Sequence, residues 1–197
     1  MIVSFRTMRT KDEEKRAALF EATVKLVNNI GFVSSSVSRI AKEAGVSPAT
    51  IYIYYKNKDD LLVSSYVDIK KSISKALLKD FDPELPIRDT LRKVCLRLFD
   101  YASKNIGYFM YAEQFSKSSY VSQLDKAEVE KYFDPIAKVL QKGIEQKIIK
   151  DVNKEMLIAF IFHPIMALAN PRLCREFEPD RKNIETAFTM IWDAIKL

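Results

Sequence analysis

The chain has 197 residues, 48% of them hydrophobic, so it can fold around a core, which excludes a mainly disordered protein. Its formal net charge of +6 is compatible with a polyanionic partner. The longest apolar stretch, 156–169, is interrupted by His163 and Pro164 and is too short to cross a bilayer, which argues against a membrane protein.

Glycine and cysteine are both scarce. With only 4 Gly and no alternating apolar runs, the sequence predicts an all-α fold. Cys95 and Cys174 are far apart, and no Cys or His stands near either at metal-ligand spacing. We therefore expect a reduced, cytoplasmic protein without a bound metal or cofactor. The N-terminus has no long apolar core and no cleavage-like site, so it is not predicted to be a signal peptide.

A first helix is predicted from about Lys11 to Asn29, because an apolar stripe recurs there at helical spacing. The stripe consists of Leu19, Thr23, Leu26 and Ile30. Gly31 is expected to end the helix. Ahead of it, residues 1–10 are predicted to be an arm. Its basic residues Arg6 and Arg9, with Lys11, are interpreted either as a minor-groove contact or as part of a disordered tail.

The stretch from Val37 to Lys56 predicts a helix-turn-helix. Gly45 supplies the positive φ that a sharp turn needs, Ser47 is a suitable N-cap, and Pro48 fits the first position of the second helix. Within this motif, the helix before the turn has one apolar face, formed by Ile40, Ala41 and Ala44. The outer face of the second helix keeps small and hydroxyl-bearing residues, which suit the major groove. An ordinary helical hairpin is the alternative.

Six further helices are expected, about nine in total. An Asn57/Asp60 pair is predicted to cap the first of them. The predicted bounds are about 58–79, 87–101, 108–117, 123–147, 153–170 and 180–196. The helix at 123–147 contains Pro135, where a bend is expected.

Positive charge is concentrated near the N-terminus. Residues 1–58 hold ten Lys and Arg against five Asp and Glu, whereas residues 59–197 hold 22 against 21. The excess therefore accompanies the helix-turn-helix, as neutralisation of DNA phosphates would require.

Three motifs occur in a fixed order after the first helix. They are Gly31-Phe32, then Ser36-Val37-x-x-Ile40-Ala41-x-x-Ala44-Gly45-Val46-Ser47, then Thr50-Ile51-Tyr52-x-Tyr54-Tyr55-x-x-Lys58-x-x-Leu61. Over residues 11–62 this order resembles the tetracycline-repressor (TetR-type) family of transcriptional regulators. The resemblance implies an N-terminal three-helix DNA-binding domain, 1–57, and a helical ligand-binding and dimerisation domain, 58–197.

The resemblance also implies which residues meet DNA. Phosphate contacts are expected from Tyr52, Tyr54 and Lys58, with Ser36 or Arg39 at the preceding helix. Base edges are expected to meet Ala49, Thr50 and Ile53, with Ser47 and Pro48 close by. The chain departs from the family where Ser36 replaces a more usual Thr and Tyr55 a commoner Phe. Ile53 also stands where a polar or aromatic residue is more usual, so we expect it to pack on a thymine methyl rather than donate a hydrogen bond. For Tyr54 core packing is the alternative, and for Tyr55 it is the preferred interpretation.

The last two predicted helices are expected to form a dimer interface. The helix at 153–170 is apolar on nearly every side, which indicates burial on two surfaces. The predicted interface residues are Phe160, Ile161, Phe188, Ile191 and Trp192. In the alternative, both helices belong to the core of a monomer.

An aromatic cluster in the second domain predicts an apolar ligand pocket. The candidate ligand-binding residues are Phe99, Tyr101, Tyr108, Phe109, Tyr111, Phe115 and His163. For each of them, ordinary core packing is the alternative, and for His163 a hydrogen-bonded position in the core is the preferred interpretation. Glu113 is interpreted either as the partner of a cationic ligand or as a solvent-exposed carboxylate, and the second interpretation is preferred.

These predictions combine into a homodimeric repressor. We expect it to bind a pseudo-palindromic double-stranded DNA operator and to be released by a small apolar or amphipathic effector. The alternative is a DNA-organising or partner-binding protein of the same fold that senses nothing. An enzyme is not expected, since no catalytic constellation of His, Cys or Ser is present.

Overall fold

The computed structural model describes the backbone of residues 3–197 and the side chains from Lys11 onward. Within this part lie ten α-helices and one 3₁₀ helix, which confirms the all-α prediction. The helices are α1 (Val3–Ser34), α2 (Val37–Glu43), α3 (Pro48–Tyr54), α4 (Lys58–Leu77), α5 (Ile87–Lys104), α6 (Ile106–Ser116), a 3₁₀ helix (Ser119–Gln123), α7 (Lys126–Lys131), α8 (Asp134–Glu145), α9 (Lys154–Leu168) and α10 (Arg181–Ile195). The predicted minor-groove contacts of Arg6 and Arg9 fall on side chains outside the described residues.

Glycine shapes both turns of the N-terminal region. α1 begins earlier than predicted, and its regular conformation breaks at Gly31, where φ is 76° and ψ is 169°. Gly45 has φ of 68° at the turn between α2 and α3. Both values lie in the left-handed region that glycine adopts without strain, so the two predicted breakers act as breakers.

The three N-terminal helices and the start of α4 enclose a small core. It is formed by Leu19, Ala22, Ile40, Ala41, Ile51, Tyr55 and Leu61. Ala41 is fully buried, and its carbonyl accepts a hydrogen bond of 2.9 Å from the backbone N–H of Val46 across the turn. The Ser36 hydroxyl caps α2 by accepting from the backbone N–H of Arg39 over 3.3 Å. Tyr55 is buried, in agreement with the preferred core interpretation.

The helix predicted at 123–147 is divided in two, and this prediction was wrong. α7 ends at Lys131, and α8 begins at Asp134, immediately before Pro135. A continuous helix would need a hydrogen bond from residue 135 to the carbonyl of Lys131, but proline has no N–H to donate. The chain therefore breaks at Tyr132 and Phe133, and the total becomes ten α-helices in the described residues.

The chain forms two compact units whose boundary differs from the predicted one at residue 58. The first unit comprises the chain up to Ile69 together with Gly107–Leu124. The second comprises Lys70–Ile106 and Asp125–Leu197. The first half of α4 and nearly all of α6 thus belong with the helix-turn-helix.

Aromatic side chains explain why α6 joins the first unit. Tyr111 and Phe115 are fully buried. The Tyr111 hydroxyl donates to the carbonyl of Leu62 over 2.8 Å, and the Phe115 ring stacks on Tyr66 with centroids 4.2 Å apart. Phe32 meets both rings edge-on, at 5.3 Å from Tyr111 and 6.0 Å from Phe115.

The second unit is a bundle in which α9 packs against α5 and α10. Arg92 on α5 forms a bidentate ion pair with Glu185 on α10. Its Nε donates to Oε2 over 2.6 Å, and its Nη2 donates to Oε1. The C-terminus is tied back through the backbone N–H of Lys150, which donates to Ile195 over 2.9 Å. Within the described residues, no helix is long and apolar enough to cross a membrane.

Candidate nucleic-acid interface

The outer face of α3 is exposed to solvent. Ile51 is fully buried, whereas Tyr52 is 58% exposed and Ile53 is 73% exposed. Pro48 and Ala49 are also exposed, and Thr50 is partly buried. The predicted division of α3 into a core side and a solvent side agrees with this pattern.

Two hydroxyl groups meet at the start of α3. Ser47 occupies the N-cap position, with φ of −73° and ψ of 150°, but its side chain does not bond to a backbone N–H of the helix. Its Oγ instead lies 3.0 Å from the Oγ1 of Thr50. The N-cap position was predicted correctly, but the expected capping hydrogen bond is replaced by this hydroxyl pair. One of the two hydroxyl groups donates its proton to the other. The pair can therefore donate one hydrogen bond to DNA rather than two.

Ser36 and Arg39 are both exposed at the start of α2. Ser36 accepts from the backbone N–H of Arg39, which leaves its own hydroxyl proton available to donate. The Arg39 guanidinium donates through Nη1 to the carbonyl of Ser34 over 3.2 Å. This bond uses one of five N–H donors, so the side chain is oriented and still able to meet a phosphate.

Tyr54 is directed toward α1 in the structure. Its hydroxyl donates to Oδ1 of Asp12 over 2.9 Å. Desolvation, the hydrogen bond to Asp12 and the charge of that carboxylate all raise the pKa of Tyr54. The hydroxyl therefore has an intramolecular partner in this structure, and its contact with a phosphate stays a prediction.

Lys58 also has an intramolecular partner. Its Nζ donates to the carbonyl of Phe32 over 2.8 Å and lies 3.5 Å from that of Val33. Carbonyl groups at the end of a helix lack intrahelical donors, so an ammonium group there is favourable. Lys58 thus links the start of α4 to the end of α1, and its contact with a phosphate stays a prediction.

The N-terminus of α4 carries its own caps. Asn57 Oδ1 accepts from the backbone N–H of Asp60, and Asp60 Oδ2 accepts from that of Lys56, each over 2.8 Å. The predicted Asn57/Asp60 capping pair is therefore present. Because a carboxylate already faces this helix end, a phosphate there would meet a like charge.

The candidate ligand residues in the first unit are engaged within it. Tyr111 and Phe115 lie in its core, as described above. The Tyr108 ring contacts Phe20 edge-on at 5.3 Å, and its hydroxyl donates to Glu21. Phe109 is partly buried. The alternative of core packing fits these contacts better than a shared ligand pocket does.

The remaining ligand candidates lie in the second unit and do not form one cluster. Phe99 is buried and meets Phe177 edge-on at 6.1 Å. The Tyr101 hydroxyl lies 2.6 Å from the Oγ of Ser72. His163 is exposed on α9, so it is not the buried histidine that the sequence favoured.

Glu113 lies on the solvent side of α6, as preferred. It is exposed and pairs with Lys117, with 2.7 Å between Oε1 and Nζ. A cationic ligand therefore has no support from this carboxylate.

The predicted interface residues separate into buried and exposed ones. Ile161, Phe188 and Ile191 are buried within the chain itself, so they cannot reach a partner directly. Trp192 is partly buried, and Phe160 is 53% exposed.

Sequence reasoning missed an exposed methionine on each of α9 and α10. They are Met156, 52% exposed, and Met190, 69% exposed. Met156, Phe160 and Pro164 follow one another at four-residue steps, which places them on one face of α9. That spacing is the signal that would have found Met156. Beside Met190 lies an open groove of about 360 Å³, lined by Leu168, Glu176, Phe177, Glu178, Asn183, Thr186 and Ala187.

Comparison with known proteins supplies two family matches. Residues 19–64 match the tetR family of bacterial regulatory proteins. Residues 86–196 match the tetracyclin repressor-like C-terminal domain.

Individual relatives agree with these matches. A crystal structure of a TetR family transcription regulator from Marinobacter aquaeolei is 34% identical, covers 95% of this chain and 98% of its own, and has a TM-score of 0.85. An HTH-type transcriptional regulator of Haemophilus influenzae is 23% identical over 96% of this chain and its own full length. The fatty acid metabolism regulator protein of Bacillus subtilis is 26% identical over 70% of this chain and 72% of its own.

Proposed function

The chain belongs to the TetR family of helix-turn-helix transcriptional regulators, and from that premise we propose that it is a homodimeric repressor released from its operator by an acyl amphiphile. The observation that carries the proposal is the exposed outer face of α3. On this helix Ile53 is 73% exposed and Tyr52 is 58% exposed, whereas Ile51 is fully buried. We propose repression rather than activation because the C-terminal match is described as tetracyclin repressor-like.

The proposed DNA contacts divide between two helices. α3 enters the major groove, where Ala49, Thr50 and Ile53 meet base edges. Tyr52 contacts a phosphate beside the groove. Ser36 and Arg39, exposed at the start of α2, hold a further phosphate.

The proposed dimer is formed by α9 and α10. Met156, Phe160 and Met190 are large apolar side chains that stand more than half exposed on these two helices. A two-fold pairing would remove them from water as a four-helix interface. Two recognition helices related by that axis read a pseudo-palindromic operator.

The proposed ligand class rests on a relative and on one cation. The Bacillus subtilis relative is a regulator of fatty acid metabolism. In the second unit, the half-buried Lys70 has its Nζ 5.9 Å from the centre of the Phe133 ring, and burial lowers its pKa. An ammonium group beside an aromatic ring suits the acidic head of an acyl compound whose chain is apolar. Nearly complete release would need about a 10⁴-fold preference of the ligand for the released conformer.

Selection from a random DNA pool at physiological salt tests operator binding. The full chain is incubated with the pool, and retained sequences are determined over several rounds. One enriched pseudo-palindrome is expected. Retention without sequence enrichment would contradict a specific repressor and would favour a DNA-organising protein.

Release from the selected operator tests the ligand class. Fatty acids and acyl-coenzyme A thioesters of increasing chain length are titrated into the complex, and anisotropy of labelled DNA is followed. Chain-length-dependent release is expected, and Lys70→Met should weaken it at unchanged operator affinity. The exposed Lys75→Met on the same helix is the matched control. No release by any acyl compound would contradict this ligand class.

A further inference from the structure

We propose that α3 recognises its half-site chiefly through major-groove methyl groups, with Ile53 as the residue that determines specificity. 5-Methylcytosine would then serve in place of thymine at the contacted positions. This inference rests on the proposed function as a DNA reader, and it adds the chemistry by which bases are read.

The composition of α3 leaves little capacity for hydrogen-bonded readout. Its seven residues, Pro48–Tyr54, include no Arg, Lys, Asn, Gln, Asp or Glu. Those are the side chains that recognise guanine, adenine and cytosine through hydrogen bonds in the major groove. A helix without them must obtain its preference from other contacts.

The hydroxyl groups that α3 does carry are partly committed. The Thr50 and Ser47 hydroxyls lie 3.0 Å apart, so one proton is used between them. Tyr52 is long and 58% exposed, which suits a phosphate at the edge of the groove. A single hydroxyl accepts or donates toward either kind of base pair and therefore discriminates weakly.

The apolar part of the same surface is unusually open. Ile53 is 73% exposed, and Ala49, one turn earlier, is exposed on the same side. An Ile side chain in water is unfavourable, and contact with an apolar group in the groove would bury it. In the major groove that group is the C5 methyl of thymine.

Two modified bases isolate the contribution of the methyl group. Deoxyuridine pairs as thymidine does but lacks the C5 methyl. 5-Methylcytosine pairs as cytosine does but carries a methyl at the same ring position as thymine. A contact that depends on the methyl group distinguishes thymidine from deoxyuridine and 5-methylcytosine from cytosine. A hydrogen bond to a base edge distinguishes neither, because the hydrogen-bonding groups are the same within each comparison.

The first experiment replaces each thymine of the selected operator by deoxyuridine, one at a time. Dissociation constants are measured by fluorescence anisotropy at fixed salt with the unmodified chain. At one or two thymines of each half-site we expect affinity to fall about fourfold, the factor for burying one methyl-sized group. If every deoxyuridine operator binds as tightly as the parent, methyl readout is wrong, although the selected operator still establishes DNA binding.

The second experiment assigns the contact to Ile53. Ile53→Ala is expected to bind thymine and deoxyuridine operators equally at the sensitive position. Ile158→Ala, an exposed Ile on α9, is the matched control and should keep the fourfold difference. If Ile53→Ala keeps the difference too, another residue reads the methyl and the assignment is overturned. Circular dichroism confirms that both variants are folded.

The third experiment tests 5-methylcytosine. The sensitive T·A pair is replaced by C·G, and the cytosine is then methylated at C5. Methylation should restore about fourfold in affinity with the unmodified chain and nothing with Ile53→Ala. Equal binding of methylated and unmethylated operators would contradict the proposal. Failure of the selection to yield any operator would instead contradict the proposed function itself.

Discussion

The ammonium of Lys58 donates a hydrogen bond of 2.8 Å to the carbonyl oxygen of Phe32. This bond joins the first residue of α4 to the end of α1, 26 positions earlier in the chain. It fixes the segment that leads into α2, where Ser36 and Arg39 are exposed.

Replacing Lys58 by Met should therefore act on stability more than on DNA electrostatics. Loss of the bond is expected to reduce the free energy of unfolding by about 1–2 kcal/mol, as measured by urea denaturation. The dependence of operator affinity on salt should keep its slope, because no phosphate contact is lost. A slope reduced by about one, with unchanged stability, would instead identify Lys58 as a phosphate ligand.

Tyr52→Phe should weaken binding to operator and to unrelated DNA by similar factors. The substitution removes only a hydroxyl that is proposed to donate to a phosphate, and phosphate contacts carry no sequence information. Anisotropy titrations with both DNAs measure the two losses. Tyr55→Phe, in the core of the first unit, is the control for removing a hydroxyl elsewhere. A loss confined to the operator would assign Tyr52 to a base edge.

Phe160→Asp combined with Met190→Asp should yield a monomer. Each change places a carboxylate on an apolar surface that the proposed dimer buries, and desolvating an unpaired charge is costly. Sedimentation equilibrium measures the mass, and operator affinity should fall with it. Ile158→Asp is the control, because residue 158 lies off the face shared by residues 156, 160 and 164. A double variant that remains dimeric would place the interface elsewhere.

Tyr111→Phe should destabilise the protein without changing acyl-ligand affinity. The variant leaves the Leu62 carbonyl without the hydroxyl that now donates to it, at a cost of about 1–3 kcal/mol. Thermal unfolding and isothermal titration calorimetry measure the two effects separately. A large change in ligand affinity at unchanged stability would instead support the prediction that Tyr111 binds the ligand.

The two cysteines should differ in reactivity. Burial raises the pKa of the Cys95 thiol to about 12, so its reactive thiolate is nearly absent at pH 8, whereas Cys174 is partly exposed. Titration with Ellman's reagent should detect one thiol in the folded protein and two in urea. Because the folded pKa is the higher one, this group's contribution to stability is complete below about pH 8.5 and is lost as the pH rises toward 12. Two fast thiols in the folded protein would contradict the buried position of Cys95.

Local signals in the sequence were enough to predict the helix-turn-helix. The breaks at Gly31 and Gly45, the Pro48 start and the Asn57/Asp60 caps each depend on a few adjacent residues. Their conformations follow from backbone sterics and from helix ends that need partners. Such constraints act before any tertiary contact forms, so the sequence alone reveals them.

Tertiary partners were harder to predict. Lys58 has the same chemistry whether it meets a phosphate or the Phe32 carbonyl, and only the position of α1 decides between them. Tyr111 lies 49 residues from the carbonyl to which it donates, so composition could not separate a core tyrosine from a pocket tyrosine. On α9 and α10, an apolar pattern on most sides concealed which residues face solvent.

The aromatic cluster around Phe32 also limits how this protein can be recombined with its relatives. Its rings come from Phe32, Tyr66, Tyr111, Phe115 and Tyr120, so three of the five are encoded more than fifty residues after the recognition helix. A chimera cut at residue 57 would transplant Phe32 without the rings that cover it. A reporter that borrows this protein's operator specificity should therefore carry the first half of α4, α6 and the following 3₁₀ helix, Ser119–Gln123, along with the first three helices.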